Sequence, residues 1–374
     1  MTSTLAAKGL EGVVVASTNI SHVFGEEGRL VYRGYDISEL AAKASYEEVC
    51  FLLWNGHLPN RAELDSLNTA MASKRALPEA ADVALRALPR ETNPMDALRT
   101  GISAAGAAIP LSGTPTVDQA MTITALFPTV VAAFHRLRSG RQPIAPRADL
   151  GHAANYLYML TGEVPPDNHI KSLETYLVLL ADHGMNASTF TARVIASTES
   201  DIASCLTGAI GALKGPLHGG APSLVMDMLD EIGTVDNIKP WIDHALDTNK
   251  KLMGFGHRVY RTTDPRAEIL RDMAHHASTE EFFALAHGTE EYAIQELNRR
   301  KPERRLYTNV EFYSAAVLNS VGLPRDLYPS TFGVARAAGW SAHVLEQMIG
   351  NRLIRPQSEY SGPQGYKFVP VADR

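Results

Sequence analysis

Four segments of this 374-residue chain combine glycines with imidazole, carboxyl or guanidinium side chains in otherwise apolar surroundings. They are Ala181-Asp-His-Gly-Met-Asn-Ala-Ser-Thr189, Gly215-Pro-Leu-His-Gly-Gly-Ala221, Gly254-Phe-Gly-His-Arg-Val-Tyr-Arg-Thr-Thr-Asp-Pro-Arg266 and Asn309-Val-Glu-Phe-Tyr-Ser314. Glycines around His218 and before His257 let backbone come close to a ligand, so that the imidazoles project from turns. With a reference pKa of ~6.5, a histidine can donate a proton or hydrogen-bond a developing oxyanion at neutral pH. A carboxylate in the same cleft, Glu311 or Asp264, could remove a proton from carbon if burial raised its basicity. Arg266, Arg336 and Arg355 are candidate anchors for a dicarboxylic acid, because a guanidinium presents a permanently charged fork that matches a carboxylate. The plain alternative is that the glycines only cap helices, Glu311 is an exposed helical acid and each arginine sits on the surface. Three glycine-flanked histidines in one chain favour a built site.

Other chemistries fit poorly. Gly254-Phe-Gly-His-Arg-Val fails the dinucleotide fingerprint because Val259 stands where the third glycine belongs, and no phosphate-loop Gly-Lys-Ser/Thr occurs. A zinc site built from His183, His218 and His257 is the nearest rival, but the histidines lack His-x-x-x-His spacing and no cysteine cluster exists. No metal and no cofactor is expected. The run Arg299-Arg-Lys-Pro-Glu-Arg-Arg305 could meet phosphates, although such runs usually cover a solvated face.

The elements that must position these residues are mostly helical. Val13 to Ser21 and Leu30 to Tyr32 favour β structure and flank Gly25-Glu-Glu-Gly28, which predicts a small N-terminal hairpin. Apolar residues then recur at three- and four-residue intervals over Asp36 to Ala42, Ser45 to Leu53, Arg61 to Met71, Val117 to Leu137 and Leu150 to Leu160. Ile170 to Leu213 is nearly continuous helical pattern, broken near Gly184 and at Thr198 to Asp201, and predicts two or three buried helices. Glycine and proline cluster at Lys214 to Pro222, Gly254 to Pro265 and Leu323 to Pro329. The first and last of these clusters are candidate limits of an inserted domain, which divides the chain into 1–219 with 323–374 and a smaller 220–322.

Composition agrees with an ordinary soluble globular protein. Hydrophobic residues make up 45% and charged residues 20%, which excludes collagen-like, disordered and disulfide-scaffold classes. A net charge of −6 argues against broad attraction to nucleic acid or anionic membrane while leaving small anions open. Cys50 and Cys205 lie in apolar stretches and read as reduced core thiols, and the first residues lack a secretion signal. A cytoplasmic protein is expected.

Taken together and in this order, the four segments resemble the citrate synthase family, from about Leu10 to the Arg355-Pro-Gln-Ser region. The thirteen positions from Gly254 to Arg266 are the most specific part. The resemblance implies an acyltransferase of the tricarboxylic acid cycle that condenses acetyl-CoA with oxaloacetate, and an almost wholly helical homodimer with a large and a small domain. By motif position, His218 hydrogen-bonds the thioester oxygen, His257 gives a proton to the oxaloacetate carbonyl and Glu311 is the base. His183, Asn186, His257, Arg266 and Arg336 belong to the oxaloacetate site, with Arg355 reaching in from the partner subunit. Leu252, Gly254, Gly256, Arg261 and Arg304 correspond to coenzyme A contacts. The same residues would serve a 2-methylcitrate synthase using propionyl-CoA, and a silent binding member of the family is the remaining alternative.

The chain departs from the family pattern in places. Glu311 stands where the family carries aspartate in Asn-Val-Asp-Phe-Tyr-Ser, which lengthens the base by one methylene. Pro222 follows Gly-Gly-Ala where asparagine is common, and Gly184-Met185 replaces Glu-Phe after Asp-His. No counterpart of the extra N-terminal domain of NADH-regulated members is expected.

Overall fold

The computed structural model describes residues 8–374 apart from 112, 220, 257–259, 261 and 303–305. Three short antiparallel strands come first, β1 (Ser21–Phe24), β2 (Arg29–Tyr32) and β3 (Tyr35–Asp36), in the order β1-β2-β3. Ser21 pairs with Tyr32 and Val31 with Asp36. The expected hairpin is present around the Gly25 to Gly28 turn, but its first strand begins at Ser21. Val13 to Thr18 run as irregular chain with no pairing partner among the described residues, so β propensity alone did not make a strand there.

Sixteen α-helices carry the rest of the described fold. They are α1 (Ile37–Lys43), α2 (Tyr46–Asn55), α3 (Arg61–Ser73), α4 (Glu79–Arg86), α5 (Pro94–Ala108), α6 (Val117–Arg138), α7 (His152–Thr161) and α8 (Asp167–Leu180). The second half holds α9 (Ala187–Ala196), α10 (Ile202–Lys214), α11 (Ala221–Ile232), α12 (Ile238–Asp247), α13 (Pro265–Ala277), α14 (Glu280–Arg300), α15 (Val310–Ser320) and α16 (Tyr328–Met348). Capping fixes many of their starts. Ser45 with Glu48, Asn60 with Glu63 and Thr116 with Gln119 form complete capping boxes, which satisfy two otherwise orphaned backbone donors each. The continuous apolar stretch from Ile170 resolves into α8, α9 and α10, with Asn186 and Asp201 as N-caps at the two breaks.

The core gathers around α16, whose residues from Tyr328 to Val344 are nearly all buried. A helix apolar on every side can only sit in an interior, and α16 packs against α2, α5, α6, α8, α9, α10 and α11. Helix α6 is long and apolar enough to cross a membrane by length and composition, but 78% of its most apolar window is buried inside the protein. It is a core helix. Cys50 and Cys205 are both buried and unpaired.

Helices α11 to α15 form a second neighbourhood, with α13 on α15, α11 on α15 and α12 on α14. They meet the rest through α13 and α15 on α8, α13 on α1 and α11 on α16. These contacts bring the first turns of α13 and α15 toward the α8–α9 connection.

Candidate active site

The connection from Ala181 to Asn186 is held from three sides. Asp182, fully buried, accepts hydrogen bonds from Ser21 and from the Gly184 N–H at 2.9 Å. Its backbone carbonyl accepts from the Tyr32 hydroxyl at 2.8 Å. The His343 imidazole lies 3.3 Å from the other Asp182 oxygen. From α16, the Gly339 N–H donates to Ala181 at 3.0 Å, and a Cβ at Gly339 would fall 2.3 Å from that carbonyl oxygen. Only glycine permits this approach. His183, half-buried, projects from the fixed turn and meets the Tyr260 ring edge-on at 5.7 Å.

His218 sits in the turn that ends α10. Its Nε2 lies 2.8 Å from the Ser188 hydroxyl and 3.3 Å from the Ser188 backbone N–H. A backbone N–H can only donate, so Nε2 is the acceptor and the ring's single proton resides on Nδ1. The Ser188 hydroxyl is itself oriented by Trp340, which donates to it at 3.0 Å, and by Asn186, 2.8 Å away. Burial, reinforced by the Arg336 charge, pushes His218 down to about 4. At neutral pH it is therefore an uncharged donor.

Glu311 occupies the first turn of α15, where the Asn309 side chain accepts its backbone N–H at 3.0 Å. The same Asn309 donates through Nδ2 to the Gly256 carbonyl at 3.0 Å. An isolated bridge joins Phe255 to Thr308, and the Gly256 N–H donates to Tyr307 at 2.8 Å. The Gly254 to Gly256 loop is thus stitched to the start of α15. Gly254 has φ +84°, and a Cβ there would sit 2.8 Å from Phe312, so this stitch too needs glycine. Glu311 is part-buried, and loss of hydration pushes its carboxyl up to about 7 against the opposing pull of Arg266 and Lys251. A base poised there suits proton abstraction near neutrality.

Arg266 and Arg336 are each 2% exposed. Arg266 makes a two-pronged pair with Asp264, Nε to Oδ1 at 3.0 Å and Nη2 to Oδ2 at 2.8 Å. Asp264 thereby serves as N-cap and ion-pair partner, and is not available as a base. Arg336 differs. Its Nε donates to the Leu180 carbonyl at 2.7 Å and its plane lies 4.7 Å from the Phe332 ring centre. No carboxylate among the described residues lies within ion-pair distance of it. Burial lowers it to about 10, with Asp182 and Tyr32 opposing and Arg266 adding to the fall. Arg266 acts on Glu311 and on Arg336, and Arg336 acts on His218. The four groups therefore share one electrostatic neighbourhood.

Asn186 caps α9 by accepting the Thr189 N–H at 3.1 Å. Leu252 is buried and Gly254 and Gly256 lie on the stitched loop. Arg355 lies on the exposed segment after α16. His257, Arg261 and Arg304 are outside the described residues. Arg299 is taken up by Glu296 on its own helix, and Arg300 by Glu296 and by Asp243 and Asp247, which ties α14 to α12. Among the described residues no group of three or more His, Cys, Asp or Glu side chains is placed to hold a metal ion. Ser188, Gly339 and Trp340 carried no role in the sequence reading. Ser188 lies inside a quoted segment, whereas Gly339 and Trp340 lie outside all four.

Residues 9–357 match the family model described as citrate synthase, C-terminal domain. The chain belongs to the citrate synthase family. These are transferases that form citrate from acetyl-CoA and oxaloacetate. The citrate synthase 2 of Bacillus subtilis is 44% identical over 99% of this chain and 99% of its own length. A 2-methylcitrate synthase of Mycobacterium tuberculosis is 40% identical over 95% of this chain and 90% of its own. Among solved structures, the citrate synthase of Thermoplasma acidophilum, in a ternary complex with carboxymethyl coenzyme A and oxaloacetate, superposes with a TM-score of 0.91 at 31% identity. It covers 98% of this chain and 99% of its own.

Proposed function

We propose that this chain condenses acetyl-CoA with oxaloacetate and water to citrate and CoA, with Glu311 as the base and no resident cofactor. The observation that carries the assignment of roles is Arg336, a buried guanidinium with no carboxylate partner among the described residues. A buried unpaired cation is costly, and a dicarboxylate is the ligand that would neutralise it. Arg266 offers its remaining donors, those not used by Asp264, to the same ligand, with His183 beside it. Glu311 takes a proton from the thioester methyl, and the neutral His218 donates from Nδ1 to the thioester oxygen as the enol forms. Stabilising that oxygen while the proton leaves is what a dry, preorganised site supplies. By motif position His257 protonates the oxaloacetate carbonyl as carbon attacks it, and Leu252, Gly254, Gly256, Arg261 and Arg304 hold coenzyme A.

Residues 220–322 are the smaller domain in this reading, and their closure over the cleft completes the thioester site. A homodimer is supported by apolar side chains left exposed near both chain ends, Val14 at 89% and Phe368 at 83% among them. Arg355, exposed within one protomer, would then reach its partner's site. Two reduced cysteines support a cytoplasmic setting. Propionyl-CoA is the second reading, supported by the Mycobacterium relative. One methylene in a pocket is worth only about 1–3 kcal/mol, so kcat/KM for the two thioesters decides between them. The test of the reaction is release of free CoA thiol. It should require both acetyl-CoA and oxaloacetate, and a protein that binds without turnover would release none.

A further inference from the structure

One buried carboxylate takes none of the roles above. Glu290, on α14, is 2% exposed and accepts hydrogen bonds from three side chains on two other stretches of chain, α13 and the start of α15. The Thr308 hydroxyl donates to Oε1 at 2.6 Å, Arg271 Nη2 donates to the same oxygen at 2.8 Å, and the Tyr313 hydroxyl donates to Oε2 at 2.5 Å. The His287 Nδ1 stands 3.5 Å from Oε2 without a hydrogen bond. A carboxylate is expensive to bury, whereas charge-assisted bonds to it are strong and directional.

Each donor adjoins a group of the site. Thr308 pairs with Phe255 and precedes Asn309, which caps Glu311 and ties down Gly256. Tyr313 follows Glu311 by two residues on α15. Arg271 lies on α13, the helix that begins at Pro265 and Arg266, and its guanidinium lies 5.5 Å from the Tyr313 ring centre. Resting on the assignment of Glu311 as the base, we infer that Glu290 is a positioning residue that fixes the first turn of α15 against α13 and the Gly254 to Gly256 loop. A glutamate carries its carboxyl at the end of three rotatable bonds, so the backbone beneath it must be held firmly for the carboxyl to stay at one depth. That depth sets both its loss of hydration and its distance from Arg266, the two opposing influences on its basicity.

Thr308→Val removes one donor at constant shape, Thr308→Ser restores the hydroxyl, and Tyr313→Phe removes the second donor independently. Thr308→Val and Tyr313→Phe should each lower kcat about tenfold, since displacement of a reacting group by a fraction of an ångström has that order of effect. They should also move the acid limb of the kcat profile away from about pH 7 and leave the oxaloacetate KM within about twofold. Thr308→Ser should keep both the rate and the limb. If Thr308→Val and Tyr313→Phe only melt earlier while kcat and the limb stay as in the unmodified enzyme, Glu290 is a packing residue and the inference is overturned. Glu311→Gln, measured alongside, separates the two levels. Its retaining turnover would overturn the base assignment itself, and its loss of turnover with normal Thr308→Val and Tyr313→Phe would overturn only the role of Glu290.

Discussion

Replacing Arg336 by methionine should make the ligand-free protein more stable and nearly abolish its use of oxaloacetate. Burial lowers the Arg336 guanidinium from its ordinary value to about 10. At about 1.4 kcal/mol for each tenfold change in proton affinity, keeping the charge costs the folded state on the order of 3 kcal/mol. Above about 10 the folded chain begins to release a proton that the unfolded chain still holds, so the penalty is complete at every pH below about 10. Methionine fills much of the same volume but orphans the Leu180 carbonyl, now bonded at 2.7 Å, which takes back about 1 kcal/mol. The net gain of about 2 kcal/mol corresponds to a rise in Tm of roughly 2–3 °C in a protein of this size. Losing a buried guanidinium from a carboxylate costs about 2–5 kcal/mol, or roughly 30-fold to several-thousand-fold in oxaloacetate KM. Thermal melts with and without oxaloacetate, followed by steady-state kinetics, measure both effects. A variant that melts at or below the parent without ligand and keeps its oxaloacetate KM within about threefold would refute the reasoning.

Three further outcomes are expected. kcat should fall as pH drops through about 7, because Glu311 is inactive as a base once protonated, and Glu311→Gln should remove turnover across the whole range while leaving oxaloacetate binding by calorimetry nearly intact. Ser188→Ala deletes the hydroxyl 2.8 Å from His218 Nε2 and should lower kcat about tenfold, the worth of one well-placed hydrogen bond, with little change in oxaloacetate KM. His152 is buried with neither ring nitrogen hydrogen-bonded among the described residues, and burial pushes it down to about 3. The unfolded chain takes up its proton below about 6.5 and the folded chain does not, so stability should fall by about 1.4 kcal/mol per pH unit between about 6.5 and 3. Denaturant titrations across that range should show the slope flattened in His152→Leu.

The motifs told more than the periodicity did. The small polar residues from Thr198 to Asp201 suited a helix junction, because a short polar side chain there competes for backbone donors, and Asp201 does cap α10. Asn186 and Asn309 also cap helices, a role the motifs had not assigned them. Glu311 stood out within Asn-Val-Glu-Phe-Tyr-Ser as a candidate base, and the local chain leaves it part-buried. Val13 to Thr18, by contrast, looked like a strand and is not one, since pairing depends on a partner that composition does not reveal. The Asp264 to Arg266 pair was equally hidden. Both residues were visible as candidates, but only the fold brings them to a two-pronged contact that removes the acid from consideration as a base. Gly339 could not be assigned in advance either, because its role is a close approach between two elements more than 150 residues apart in sequence, Ala181 and α16.

Loss of deuterium from methyl-deuterated acetyl-CoA, followed by mass spectrometry in the presence of a dicarboxylate that cannot condense, reports proton removal at carbon without the later steps. It should be detectable in the unmodified enzyme, depend on the dicarboxylate, and vanish in Glu311→Gln and in Arg336→Met. Exchange that persists in Glu311→Gln, or that proceeds equally well without any dicarboxylate, would contradict a single site in which Arg336 seats the acid and Glu311 takes the proton.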